Sequence, residues 1–426
     1  MEQKTTVDPK RVAAFFRRTT TGPVCRVQSN LDLEAWQLSK AYYTLITYLN
    51  DVSSEIQGIQ NTDTFPISQN ILRVTAIFEK LDALIQSNPP APVVQGSGLD
   101  PGNKSFRRWA HNMLRDIYQM VEKALPPSKC RHVNELGWYL SSSFGSSTKI
   151  EYGTGNELNF LFFICSLFKA EILTREEDLA ASALVLFDRY LKFVRRLQVT
   201  YSVVSSNWNG GYSLDKFQFV PFIWGVAQLC YEAPFSPQKM LDEDTIAKYR
   251  KNYLLIDCVG HMANTYIGTF ARHSSQLWCL AALSSWTKIH RGLMFMFTDD
   301  ILLEFDILSA LRFGELMPFE EDKSGRKLGN PRLGVISPLR RQKGENLQDR
   351  DQDQDITSKS NTPSISNIEL NGNDNKKAED DHFSEVMSNS GLSVGSDCSS
   401  LSNVSVHLPT WIDDVPGVSK NTFKNI

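Results

Sequence analysis

An all-α body followed by a disordered tail is the architecture this sequence predicts. Two patterns carry that expectation. Apolar residues recur every three or four positions over long stretches, whereas the period-two alternation of strands is scarce. The aromatics are also unevenly spread: of the 24 Phe, 13 Tyr and 8 Trp, only Phe383, Trp411 and Phe423 lie beyond Glu320. Chain so poor in aromatics cannot bury enough apolar area to offset the entropy of ordering its backbone. The expected division is an N-terminal extension (1–30), a helical domain (31–320) and a low-complexity tail (321–426).

The elements follow in chain order. Trp36 to Ile56 carries Leu38, Ala41, Tyr42, Leu45, Leu49 and Val52 on one helical face, and Ile67 to Ile85 repeats the pattern. Asn88-Pro89-Pro90 breaks the chain, and a loop runs to Gly102. Phe106 to Leu125 is helical and stops at Pro126-Pro127. Leu158 to Leu173 is apolar nearly all round, as a buried helix would be. Thr174-Arg175-Glu176-Glu177 reads as a capping box opening a helix that runs to about Val199. Further helices are expected over Pro221–Tyr231, Glu243–Tyr266, Gln276–Leu283 and Lys288–Leu303.

Charge and composition exclude several classes. The 45 basic and 48 acidic side chains give a formal net charge of −3, and the first 320 residues are neutral. That is a poor footprint for nucleic acid. No run of about 20 apolar residues could span a bilayer, and the polar N-terminus has no signal core. Seven widely spaced cysteines without a CxxC read as reduced thiols of a cytoplasmic or nuclear protein. The tail is rich in Ser and Asn and contains the run Gln348–Asp355, so it reads as solvated chain open to phosphorylation.

The motifs of metalloproteases, serine hydrolases, P-loop enzymes and kinases are absent, and the histidines show no metal-ligand spacing. Two non-helical stretches remain. Ser146 to Glu157 precedes the buried helix, with Gly153 and Gly155 turning the backbone, Thr154 offering a hydroxyl and Lys149 a positive charge. This suits phosphate at a helix N-terminus, although a plain N-cap turn has the same spacing. Asn207 to Gly225 is dense in aromatics interrupted by Asp215, Lys216 and Gln218, which suits either a cleft for an extended apolar peptide or simply core.

The blocks YGTGNEL (152–158), LDKFQFVPFIWG (214–225), HSSQLW (273–278), SSWTKIHRGL (284–293), GNKSFRRW (102–109) and FGELMP (313–318) resemble, in order and spacing, the type 2A protein phosphatase activators, also called phosphotyrosyl phosphatase activators. The resemblance implies a multi-helix fold with core, linker and lid parts. It implies a partner, the catalytic subunit of type 2A protein phosphatase, together with binding of ATP and Mg2+, peptidyl-prolyl cis/trans isomerase activity on a proline-containing peptide, and a peptide-induced dimer. Rotation about an X-Pro bond needs no nucleophile, only an environment that favours the twisted amide.

Carried over by residue, the resemblance assigns the isomerase cleft to Asp215, Phe217, Gln218, Pro221 and Trp224. It assigns the nucleotide to Lys149, Thr154, Gly155, Ser309, Ala310 and Leu311, and the metal to the turn at Gly210. Peptide or partner contacts fall on Gly211, Tyr212, His273, Gln276, Trp278 and Trp286. The chain departs from the family pattern at several of these surfaces. Lys216 stands where the family has an acid associated with the magnesium, and an ammonium cannot ligate Mg2+. Asn156 replaces a His, Arg272 replaces a Glu, and the nucleotide-touching block has become Asp306–Leu311. A working activator, a phosphatase-binding scaffold without ATP-Mg2+ and isomerase function, and a helical adaptor all remain open at this point.

Overall fold

A computed structural model describes residues 22–90, 101–206 and 214–334, all within the unit formed by residues 1–345. The chain enters through a short strand, β1 (Val24–Cys25), and helix α1 (Asp32–Gln37). The helix expected over Trp36–Ile56 is interrupted. Leu38 closes α1, and Ser39, in extended conformation, caps α2 (Lys40–Glu55) by accepting the Tyr42 amide at 3.1 Å. The first free amides of α2 are satisfied from the far end of the chain: Lys40 N donates to Glu320 O (2.8 Å) and Ala41 N to Pro318 O (3.0 Å).

Helices α3 (Gln69–Thr75) and α4 (Ile77–Ser87) divide the stretch expected as one helix, with the break at Ala76. Helix α5 (Pro101–Ala124) starts earlier than expected, at a proline suited to a first turn. Helix α6 (Val133–Ser141) was not anticipated. Strand β2 (Glu151–Tyr152) leads into α7 (Thr154–Lys169), the expected buried helix.

Helix α8 (Arg175–Ala181) passes through a π-helical turn (Ser182–Phe187) into α9 (Asp188–Tyr201). The capping box read at Thr174 does not form. The Thr174 hydroxyl caps nothing, and the carboxylate that reaches back to Thr174 N, at 2.9 Å, is that of Asp178 rather than Glu177.

Strand β3 (Val204–Ser205) pairs in parallel with β2, Glu151 opposite Val204. Then come α10 (Val220–Gln228), α11 (Glu243–Tyr249), α12 (Leu254–Thr265), α13 (Phe270–His273), α14 (Ser275–Ala281), α15 (Trp286–Phe297) and α16 (Phe305–Ala310). The helix expected over Glu243–Tyr266 breaks between Tyr249 and Leu254, where Gln228 Oε1 accepts the Leu254 amide at 2.9 Å. Strand β4 (Arg312–Phe313) returns antiparallel to β1, Val24 opposite Phe313.

Helix α7 is the centre of the core. Phe160 stacks on Tyr190 with ring centroids 3.8 Å apart, and Phe78, Phe144 and Phe193 close around them. Each such ring contributes about 1.5–3 kcal/mol by burial. The Trp36 indole donates to Leu302 O at 2.8 Å and packs on Phe162 and Phe313, joining both ends of the chain to α7.

Contacts of the body extend beyond 31–320 on both sides. β1 lies before this span. After it, Asn50 Nδ2 donates to Gly329 O (2.6 Å), Arg332 N to Ser54 Oγ (2.9 Å) and Gly334 N to Gln57 Oε1 (2.6 Å). Most of the expected extension and tail, residues 1–21 and 335–426, lies outside the described residues.

Candidate functional site

The candidate site is organised by two carboxylates. Glu157 sits in the first turn of α7 and is 1% exposed. Its Oε2 accepts the Phe219 amide at 2.9 Å and the Val220 amide at 3.2 Å, two groups that the start of α10 leaves free. Its Oε1 has no partner, and burial pushes its pKa up to about 8.

Asp215 begins the preceding turn. Its Oδ1 accepts the Tyr266 hydroxyl (2.7 Å) and the Lys216 amide (2.7 Å), and its Oδ2 accepts the Gln218 amide (3.2 Å). Burial raises its pKa, opposed by these donors and by Arg195. Arg195 itself is held by Asp257 at 2.5 Å and by Cys258 Sγ at 3.0 Å.

Lys216 extends its ammonium over the Tyr266 ring, 4.8 Å from the centroid. The other neighbour of Tyr266 is His273, edge-on at 5.3 Å. His273 shares a 2.9 Å hydrogen bond with Ser274, and burial followed by the Lys216 charge lowers its pKa, so the imidazole is neutral at pH 7. Phe217 is half-buried beside Tyr152, and Ile267 is 98% exposed next to Tyr266.

The structure therefore gathers Asp215, Phe217, Gln218 and His273 from the expected residues and adds Glu157, Lys216, Tyr266 and Arg195. Gln276 and Trp278 stand half-buried on α14, just after His273. Pro221 and Trp224 are core residues. Trp224 is 0% exposed and packs edge-on to Phe187 (4.9 Å) and Tyr48 (5.9 Å), so it backs the site and offers no surface to a ligand. Trp286 joins a different aromatic group: its indole donates to Phe235 O at 3.3 Å and meets the Phe235 ring at 5.8 Å. Gly210, Gly211 and Tyr212 lie outside the described residues.

Of the residues assigned to a nucleotide, Thr154 and Gly155 open α7, and α16 packs against that helix. Helix α16, which carries Ser309 and Ala310, approaches Gly155, where a Cβ would stand 3.6 Å from Ile307 Cγ2. Leu311 points into the core, 1% exposed, and Ser309 O accepts the Cys25 thiol at 3.3 Å. Lys149 is exposed and pairs with Glu151 at 3.3 Å. Asn156 closes the turn, accepting Gly153 N (3.1 Å) and donating to Ser142 O (2.8 Å).

The turn assigned to Mg2+ at Gly210 lies outside the described residues; after it in the sequence, Lys216 brings an ammonium, which cannot ligate a metal ion. Asp215 Oδ1 accepts two protein donors and Oδ2 one. Among the described residues no group of three His, Cys, Asp or Glu side chains could hold a metal ion.

Glu157 lies inside one of the motifs quoted above, but its reach to α10 is a tertiary contact. Tyr266 lies outside every motif, and no sequence signal marked it.

Residues 23–319 match the family model of the phosphotyrosyl phosphate activator (PTPA) protein. The chain is 44% identical over 313 residues to a Drosophila melanogaster serine/threonine-protein phosphatase 2A activator, covering 74% of this chain and 77% of the relative. It is 32% identical over 301 residues to a Dictyostelium discoideum protein described as a probable serine/threonine-protein phosphatase 2A activator 1, covering 70% and 90%. Its fold resembles the crystal structure of the PP2A phosphatase activator Ypa1, with a TM-score of 0.61 at 25% identity, covering 71% of this chain and 96% of that one. With a family match that takes in every described helix and the whole Glu157–Asp215–Tyr266 arrangement, the chain belongs to the PTPA family of phosphatase 2A activators.

Proposed function

We propose that the chain binds the catalytic subunit of a type 2A protein phosphatase and promotes its active conformation. The observation that carries this reading is the family match over 23–319 together with the intact turn around Asp215. Activation of this kind is differential binding: the state of the partner that fits better becomes populated.

The surface at Asp215 is the face proposed for a proline-containing segment. Half-buried Phe217 and exposed Ile267 offer apolar contact, while Lys216 and neutral His273 supply donors beside it. The X-Pro barrier is about 20 kcal/mol, and a surface that binds the twisted amide better than the planar one lowers it. Lys149, Thr154, Gly155, Ser309 and Ala310 are the residues proposed to receive a nucleotide, its phosphates at the α7 N-terminus. Action in the cytoplasm and nucleus and a peptide-induced dimer belong to the same proposal.

One observation favours a second reading. The Lys216 ammonium over Tyr266 puts a positive charge beside Asp215 and disfavours a metal ion there, so the chain would serve as a phosphatase-binding scaffold without Mg2+ dependence. The test is capture of the purified catalytic subunit by the full chain, paired with isomerisation of an X-Pro peptide. Capture with faster isomerisation supports the first reading, and capture alone supports the scaffold. Failure to capture contradicts both.

A further inference from the structure

We infer that the cleft between the C-terminal end of α7 and the segment 322–329 binds a phosphate-bearing anion of two or more charges. A cavity of about 550 Å3 opens there. Its lining holds seven Lys and Arg side chains against Glu171, Glu315 and Asp322. In a body whose charges otherwise balance, this is a local excess of cations.

Four of the seven are already paired. Lys40 meets Glu320 at 3.0 Å, Lys129 meets Glu171 at 3.2 Å, Arg326 meets Asp322 at 3.6 Å, and Arg175 meets Asp51. Arg131, Lys169 and Lys327 have no ion pair among the described residues. Arg131 is also held in place, because its Nε donates to His132 Nε2 at 2.9 Å. That bond leaves His132 as an acceptor, and burial with the Arg131 charge keeps it neutral. Three unpaired cations, one of them a guanidinium fixed at its Nε, outnumber Glu315, the one carboxylate of the lining without an ion pair among the described residues, and the resulting field is one that an anion relieves. Phosphate suits them because it accepts from guanidinium and ammonium at once.

The cleft is separate from the proposed nucleotide region. Lys169 ends α7 and Thr154 begins it, about 22 Å away at 1.5 Å per residue. Arg326 and Lys327 lie beyond the 23–319 family match, so the cation set is not confined to the matched region. A neighbouring cavity of about 640 Å3 shares Arg131 and His132 and adds Arg26, which leaves room for a longer ligand.

Isothermal titration of the full chain at low salt tests the inference. One arm uses inorganic tripolyphosphate, and the other uses a short peptide with two phosphoserines beside its unphosphorylated form. Saturable binding is expected in at least one arm, and the tighter arm identifies the source of the phosphate. Lys169→Glu and Lys327→Glu should each weaken it about tenfold, while Lys80→Glu, the same charge change at an exposed position of α4, leaves it within twofold. Thermal unfolding of each variant confirms that it is folded. Absence of saturable binding in both arms overturns the inference. Equal weakening by Lys80→Glu, or binding unchanged by Lys169→Glu and Lys327→Glu, does so too.

Discussion

At the scale of single residues, Glu157 ties two stretches of the chain together. It bridges the start of α7 to the start of α10, and no other group accepts the Phe219 and Val220 amides in its place. Glu157→Ala strands both donors and should cost about 2–4 kcal/mol in denaturant unfolding, whereas Glu157→Gln keeps an acceptor and should cost about 1 kcal/mol or less. The pH dependence has a definite sign. With a folded-state pKa raised to about 8, Glu157 holds its proton more tightly in the folded protein than in the unfolded chain. Its contribution is therefore fully present below the ordinary carboxylate range and is lost as pH rises toward about 8. Wild-type stability should fall across that window relative to Glu157→Gln. Parallel pH profiles for the two proteins would contradict the assignment.

Lys216 decides the cofactor question at the same scale. Lys216→Asp removes the cation over Tyr266 and places a second carboxylate beside Asp215. Mg2+-dependent ATP affinity should then rise, about tenfold for one new ligand charge. Unchanged affinity by titration would mean that the metal region lies elsewhere.

At the scale of elements, two glycines mark where backbones come closest. A Cβ at Gly225 on α10 would stand 2.7 Å from Leu255 Cα on α12 and nearer still to the Leu255 amide. Gly225→Ala should cost more than about 3 kcal/mol despite the better helix propensity of alanine, because backbone cannot yield. Gly314 faces Glu135, where a Cβ would lie 2.5 Å from Oε1. Glu135 cannot swing away, since it accepts the amides of Glu315 (2.9 Å), Leu316 (3.0 Å) and Met317 (3.1 Å) and the Tyr139 hydroxyl (3.1 Å). Gly314→Ala should lower stability by about 1–3 kcal/mol, measured as a fall in the denaturant midpoint at constant slope.

The long elements were legible in the sequence because their apolar faces repeat at helical spacing, and α5, α7 and α15 overlap the stretches so marked, with their ends displaced. The interruptions were not. The break at Ser39 depends on residues 318–321 arriving from the other end of the chain, and the break before Leu254 depends on the Gln228 side chain. The two-residue strands are too short to alternate. At the site, the motifs marked Asp215, Gln218 and His273, but an aromatic-rich run could not show whether Trp224 faced a ligand or the core. Burial on every side of α10 decides for the core.

At the scale of the whole molecule, the helices around α7 hold two carboxylate-centred junctions. One is Glu157 at the start of α10, and the other is Glu135 at the turn that ends the family match. The first supports the turn that presents Asp215, Lys216 and Phe217. The second ties the C-terminal turn of the matched region to α6. Both are built from buried amides and carboxylates, so the proposed partner surface is preorganised, and little ordering cost is expected on binding.

The most direct test of the account is the activity of an inactive type 2A catalytic subunit on a phosphopeptide after incubation with the full chain. Phosphatase activity should return in proportion to the chain added and saturate near one chain per catalytic subunit. Activity that stays at its starting level, with folded chain in excess, would contradict it.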